Sequence, residues 1–268
     1  MALYNKIFSL ARKEILNLSN YKMSNLIGIC VPTVTFLLIA KIVFANQGVQ
    51  FGEFRVMNYF PFAVSGIIIS MYLVAPISYM NEQIKHERNM GILETILVTP
   101  TNLLTVLFSI YLWNLLLTII FTLPFLIFGI FYLKISLNLL DTVLLITLSF
   151  FSLAVFFGIS IIFCALIIIF KEIGHLGSIV NNCFRIFSGI YISINYLPLW
   201  MQGVSRWLPI TYSVRSIRSI IFHNYSLSSI AKDIFILILF LLIIMPTGIL
   251  LLNFSIKKSK VKGLLTYY

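Results

Sequence analysis

Catalysis would need a nucleophile beside a base, a set of metal ligands or a loop that cradles phosphate, and this sequence offers none in a working pattern. Its eight acidic residues are scattered. No G-x-x-x-x-G-K-S/T run occurs, and neither H-E-x-x-H nor G-x-S-x-G is present. Cys30, Cys164 and Cys183 each lie in an apolar run without C-x-x-C spacing. They read as small buried hydrophobes rather than as disulfide partners or zinc ligands. Paired acids in mid-span, the mark of a proton or cation relay, are missing; Asp141, Glu172 and Asp233 fall near span ends. The densest charge lies in residues 80–100, MNEQIKHERNMGILETILVTP, with two Lys/Arg, three Glu and one His. What such a stretch can do is mechanical. It reads either as a short helix gripped by a partner or as a charged structural turn.

The elements around it are built for lipid. The chain has 268 residues, of which 60% are hydrophobic and 10% charged, with a mean hydropathy of +1.03. A soluble domain averages about 25% charged residues, so so much apolar surface cannot be hidden from water in one globule. The net charge of +11 would suggest nucleic acid in a soluble protein. Here the basic residues flank apolar runs, which fits anchoring on the inner membrane face and not nucleic-acid binding.

Residues 1–22 place Tyr4, Ile7, Phe8, Ala11, Ile15 and Leu18 on one helical face, with Lys6, Arg12, Lys13 and Asn17 largely elsewhere. This predicts an amphipathic interfacial helix rather than a signal peptide. Six spans follow at about residues 24–45, 57–79, 103–130, 143–169, 176–195 and 233–254. The second carries Pro61, Gly66 and Pro76, where bends are expected. The fifth contains Arg185, which faces protein or water if it lies at mid-membrane. Residues 196–212 hold Pro198, Trp200, Trp207, Pro209 and Tyr212. That mixture predicts short re-entrant helices, a broken backbone tolerated only against protein or a cavity. Lys257, Lys258, Lys260 and Lys262 anchor the tail. With the N-terminal segment they put both termini on the cytoplasmic side. Arg206, Arg215, Arg218 and Lys232 then lie outside, against the charge rule. Either protein contacts hold them or the span count is off.

Two motifs carry a resemblance. Glu87-Arg88-Asn89-Met90-Gly91-Ile92-Leu93-Glu94, running on to Val98-Thr99-Pro100, resembles the E-R-x-x-G-T-L-E-x-L-x-V-T-P motif of ABC-2 type transporter permeases. Ile92 departs where threonine is common, and Ile96 replaces a leucine. Further on come Ser188-Gly189, then Leu197-Pro198 with Trp200. Leu208-Pro209-Ile210-Thr211-Tyr212 resembles the family's N-P-L-T-Y ahead of Arg218, with Leu208 in place of asparagine. The resemblance implies an all-α integral membrane protein of the ABC-2 exporter type, with no catalytic activity of its own. It implies a cytoplasmic coupling helix between spans two and three, within residues 82–100, and re-entrant helices between spans five and six. By that likeness Glu82, Glu87, Arg88, Gly91, Leu93, Glu94 and Pro100 belong to the coupling region. Arg185, Ser188, Gly189, Pro198, Trp200, Pro209, Thr211, Tyr212 and Arg218 are candidates for the translocation path or its exit. The implied partners are two ABC-type ATPase subunits, which carry ATP and Mg, and a second identical or similar permease in a bacterial inner membrane. The N-terminus lacks the R-x-R-Y-x-x-S-x-L-G-like segment of polysaccharide exporters, which tilts the expected cargo toward a drug or small amphiphile. A glycan exporter subunit or a non-transporting immunity or sensor module stays open.

Overall fold

Long uncharged runs can satisfy their own backbone hydrogen bonds in lipid only as helices, and helices are what the chain forms. The structure is a computed structural model describing residues 59–98, 102–133, 138–170, 176–191 and 193–262. Among these the helices are α1 (Tyr59–Asn89), α2 (Ile92–Val98), α3 (Leu103–Leu133) and α4 (Leu139–Ile169), then α5 (Leu176–Phe187), α6 (Leu199–Arg206), α7 (Pro209–Ile221) and α8 (Leu227–Lys262). A 3-10 turn, Ile194–Tyr196, precedes α6. The expected interfacial helix at 1–22, the first span at 24–45, Cys30, Pro100, Glu172 and the tail beyond Lys262 lie outside the described residues.

Among the described residues four stretches are long and apolar enough to cross a membrane: Val64–Asn89, Leu103–Ile120, Leu139–Ile169 and Leu227–Ser259. Two sequence expectations change. The second span does not stop near residue 79. α1 continues as one helix through Gly66 and Pro76 to Asn89, about 46 Å at the α-helical rise. The first half of the expected coupling helix is thus the end of a span. The break falls at Gly91, whose φ of 71° is a conformation glycine adopts without penalty. The expected fifth span at 176–195 is also not one helix. α5 ends at Phe187, well before the expected end of the span at 195. Gly189, at φ 79°, turns the chain there.

α4 is the central helix. Its N-terminus is set by Asn138, whose N–H donates to the Asp141 carboxylate at 3.0 Å, and an acid in the first turn suits the helix dipole. α4 and α8 share the most extensive interface in the bundle and run parallel. A Cβ on Gly248 would come within 3.1 Å of the Gly158 carbonyl oxygen, and Ser255 donates to the Ala165 carbonyl at 2.8 Å. In lipid, burying apolar surface between helices gives little transfer energy, so close approach of small residues and interhelical hydrogen bonds supply the cohesion. α1 runs parallel to these two, and α3 runs antiparallel. Tyr111 of α3 donates to the Leu153 carbonyl of α4 at 2.9 Å.

Two buried apolar clusters fill the bundle, one toward each end. The first joins Leu73 and Ile77 of α1, Phe156 of α4, Ile210 and Val214 of α7 and Leu237 of α8. The second joins Met80 and Ile84 of α1, Leu93 of α2, Leu107 of α3, Ile161 and Ile168 of α4 and Leu252 of α8. α8 turns Leu242, Ile243, Leu250 and Phe254 outward, as a lipid-facing helix should.

Candidate functional site

Among the described residues the bundle carries two polar constructions, one at each end. At the α2 end, α1 carries its polar residues past the apolar cluster. Glu82, His86, Asn89 and Met90 are exposed. Glu87 and Arg88 are not: they are 2% and 7% exposed. Gln83 donates to Glu87 at 3.3 Å. Arg88 reaches across to α4, donating to the Ile167 carbonyl and, at 3.1 Å, to that of Phe170. Those carbonyls belong to the last turn of α4, where a helix leaves acceptors unfilled and a cation is favoured by the dipole. The pair therefore lies inside, bracing α1 on α4, and the surface it leaves to a partner is made by its neighbours. After the Gly91 turn, α2 docks by Leu93, 1% exposed, and turns Thr95 outward. Glu94 lies within α2.

At the opposite end, the chain after α5 breaks into the 3-10 turn, α6 and α7, the short helices expected for residues 196–212. Arg218 of α7 organises them. It is 3% exposed. It donates to the carbonyls of Gly189 at 2.6 Å, Ile190 at 2.6 Å and Phe62 at 3.1 Å, and to the Ser65 hydroxyl at 3.3 Å. Its guanidinium also lies 3.6 Å from the Phe62 ring centre, a cation–π contact. Gly66 permits this: a Cβ there would fall onto the Ile190 carbonyl and the Arg218 guanidinium. Beside it, Arg215 forms a two-pronged ion pair with Asp233 of α8, which also accepts from Ser216. Arg215 and Arg218, two of the arginines expected on the outer side, are thus held by protein contacts.

The expected exit residues divide between those that line a common cleft and those that shape its frame. Ser188, Gly189, Thr211, Tyr212 and Arg218 line a cleft of about 240 Å³. Pro198 sets the N-cap of α6 and Pro209 the first turn of α7, where its missing N–H costs nothing. Trp200 is exposed, its ring edge-on to Phe187 with centres 6.3 Å apart. Arg185 sits in the last turn of α5, partly exposed, its Nε unpartnered. Tyr212 donates to the Arg206 carbonyl at 2.8 Å.

Several structural roles were not assigned from the sequence. Phe62, Ser65 and Gly66 receive Arg218 on α1. Asp141 at the start of α4 accepts from Tyr225 and lies 3.4 Å from His223 Nδ1. That hydrogen bond pushes the Tyr225 phenol above its ordinary range. Buried Asn81 and Asn181 contact Cys164 and Ser78. Polar residues in predicted spans were the available signal, but only the packing shows which partner each meets. Among the described residues no three His, Cys, Asp or Glu side chains gather as metal ligands.

The family model described as ABC-2 type transporter matches residues 5–222. A comparison with curated proteins finds no match. The family implies association with an ABC ATPase. A match over most of the chain, on a bundle with long membrane-crossing helices, gives one conclusion: this chain belongs to the ABC-2 type transporter family and is the multi-pass membrane permease component of an ABC transporter.

Proposed function

We propose that this chain is the membrane subunit of an ATP-driven exporter that moves a drug or small amphiphile out of a bacterial cell. Two permease copies pair, both termini face the cytoplasm, and two separate ATPase subunits carry ATP and Mg. Force enters through the α1–α2 corner. The observation that carries this reading is the buried Arg88 tie. α1 extends past its apolar cluster, turns at Gly91 and is bonded to the end of α4. A push on this corner therefore moves two membrane-crossing helices together, and α8 follows α4 through their shared interface. The contact surface is assigned to exposed Glu82, His86, Asn89 and Met90, while Glu87, Arg88 and Leu93 keep the corner stiff. ATP-driven closure of the ATPases shifts the corner, the bundle opens on the cleft side, and hydrolysis resets it. The lack of a polysaccharide-exporter N-terminal segment supports the choice of cargo.

The test is to reverse the surface without touching the brace. His86→Glu with Met90→Glu should leave the permease folded but lose the co-purifying ATPase and cut export about tenfold, as loss of a central contact does at interfaces. Unchanged ATPase recovery and export would overturn the assignment of this corner.

A further inference from the structure

The cleft between the 3-10 turn, α6 and α7 has a chemistry that the mechanical scheme does not use. Three guanidinium-bearing residues, Arg206, Arg215 and Arg218, line it, and among the described residues no carboxylate does. Arg218 is engaged with backbone carbonyls and Arg215 with Asp233. Arg206 is exposed, and its guanidinium makes no ion pair or hydrogen bond among the described residues. Thr211 also lines the cleft. It is 5% exposed, and its hydroxyl has no hydrogen-bond partner, an unfilled position that a buried polar group normally does not tolerate. Thr211 sits in the first turn of α7, 13 residues long, and the N-cap there is Leu208, which offers no side-chain acceptor. Among the described residues no side-chain anion caps the positive end of that helix. Arginines, a free hydroxyl and an uncapped helix start converge on a space that suits an oxyanion.

Two further features narrow the ligand. The cleft, at about 240 Å³, is smaller than the roughly 300 Å³ at which drug-sized sites begin, so it takes a small group and not a whole amphiphile. The helix that walls it is two-faced. Gln202, Ser205 and Arg206 of α6 line the cleft, while Trp200, Val204 and Trp207 are exposed at helical spacing on another side. Such tryptophans favour the headgroup layer of a membrane, and that face would lie among acyl chains. We propose that this cleft binds the phosphate headgroup of an anionic membrane amphiphile, with Arg206 and Thr211 as its ligands and the apolar face of α6 beside its tails. The assignment stands apart from the direction of transport and from the ATPase contact.

Native mass spectrometry of the full chain in mild detergent tests it, with phosphatidylglycerol, phosphatidylcholine and inorganic phosphate as probes. Phosphatidylglycerol should bind at least about tenfold more tightly than phosphatidylcholine, whose own cation meets the guanidinium groups. Arg206→Gln should weaken it about tenfold, the low end for a charge-assisted hydrogen bond. Thr211→Val, which keeps the side chain's shape, should weaken it about threefold. Lys232→Gln, an exposed cation outside the cleft, should change nothing. Equal binding of the two lipids, or variants at Arg206 and Thr211 that bind like Lys232→Gln, would overturn the proposal. Inorganic phosphate competing as well as phosphatidylglycerol would reduce the site to an ion site and overturn the headgroup assignment.

Discussion

Arg88 and Arg218 are both buried and both give their guanidinium groups to backbone carbonyls, yet they hold different kinds of structure. Arg88 bonds two carbonyls at the end of one helix, α4, and so ties two intact helices at their ends. Arg218 collects carbonyls from separate segments, Phe62 on α1 and Gly189 and Ile190 in the turn after α5, and adds the Ser65 hydroxyl. One is a tether between rigid rods and the other is the node of a broken backbone. In lipid no water is at hand to satisfy a carbonyl that has left its helix. The forked guanidinium, with several donors in one plane, is the side chain suited to either task. The tether passes motion along helices. The node lets helices stop short of crossing and leaves room for a cleft.

Changes at the node should cost most. Arg218→Ala strands the buried carbonyls of Gly189 and Ile190, each costing about 1–3 kcal/mol, while that of Phe62 keeps the Ser65 hydroxyl, so the variant should fail to yield a monodisperse protein or should melt far lower in nanodiscs. Arg218→Lys keeps the charge but not the fork and should recover less than half of that loss. Gly66→Ala comes next, at about 1–3 kcal/mol from overpacking, because its methyl group meets the Ile190 backbone and the Arg218 guanidinium, which its own carbonyl bonds hold in place. A melting temperature unchanged by Gly66→Ala would show that α1 is not held tightly against Ile190. At the tether, Arg88→Lys should lower stability by only about 1 kcal/mol while uncoupling ATP turnover from transport, a split that the node variants should not show. If transport and stability fall together, Arg88 is only a structural brace. Gly91→Ala at the same end meets nothing within 4 Å, so its cost, about 1 kcal/mol, comes from the positive φ alone. The smallest effect is expected from Tyr225→Phe, which loses one hydrogen bond to Asp141, about 1 kcal/mol or less.

The all-helical membrane architecture was legible because lipid leaves the chain few alternatives. The α2-end motif could be read because charge in an apolar chain is conspicuous. Its burial could not. Glu87 and Arg88 read as surface residues, since sequence shows their charge but not the end of α4, some eighty residues away in the chain, that Arg88 caps. Residues 196–212 announced broken helices through Pro198, Pro209 and their tryptophans. Gly66 read as a bend, whereas it is the gap that admits the Ile190 carbonyl. The fifth span looked continuous because residues 176–195 are apolar enough. What stops it at Phe187 is Gly189 together with Arg218, and the capture of carbonyls by a distant arginine leaves no periodic trace.

By itself the sequence determined the solvent, the helical class, the family and the broken backbone of residues 196–212, because composition, proline and glycine act locally and lipid penalises every unpaired backbone group. Only the tertiary structure decided which arginines are buried, which carbonyls they satisfy, and that Arg206 and Thr211 meet in one cleft. Those outcomes depend on which segments pack together, and a donor's partner across the bundle is fixed by the fold and not by its neighbours in the chain.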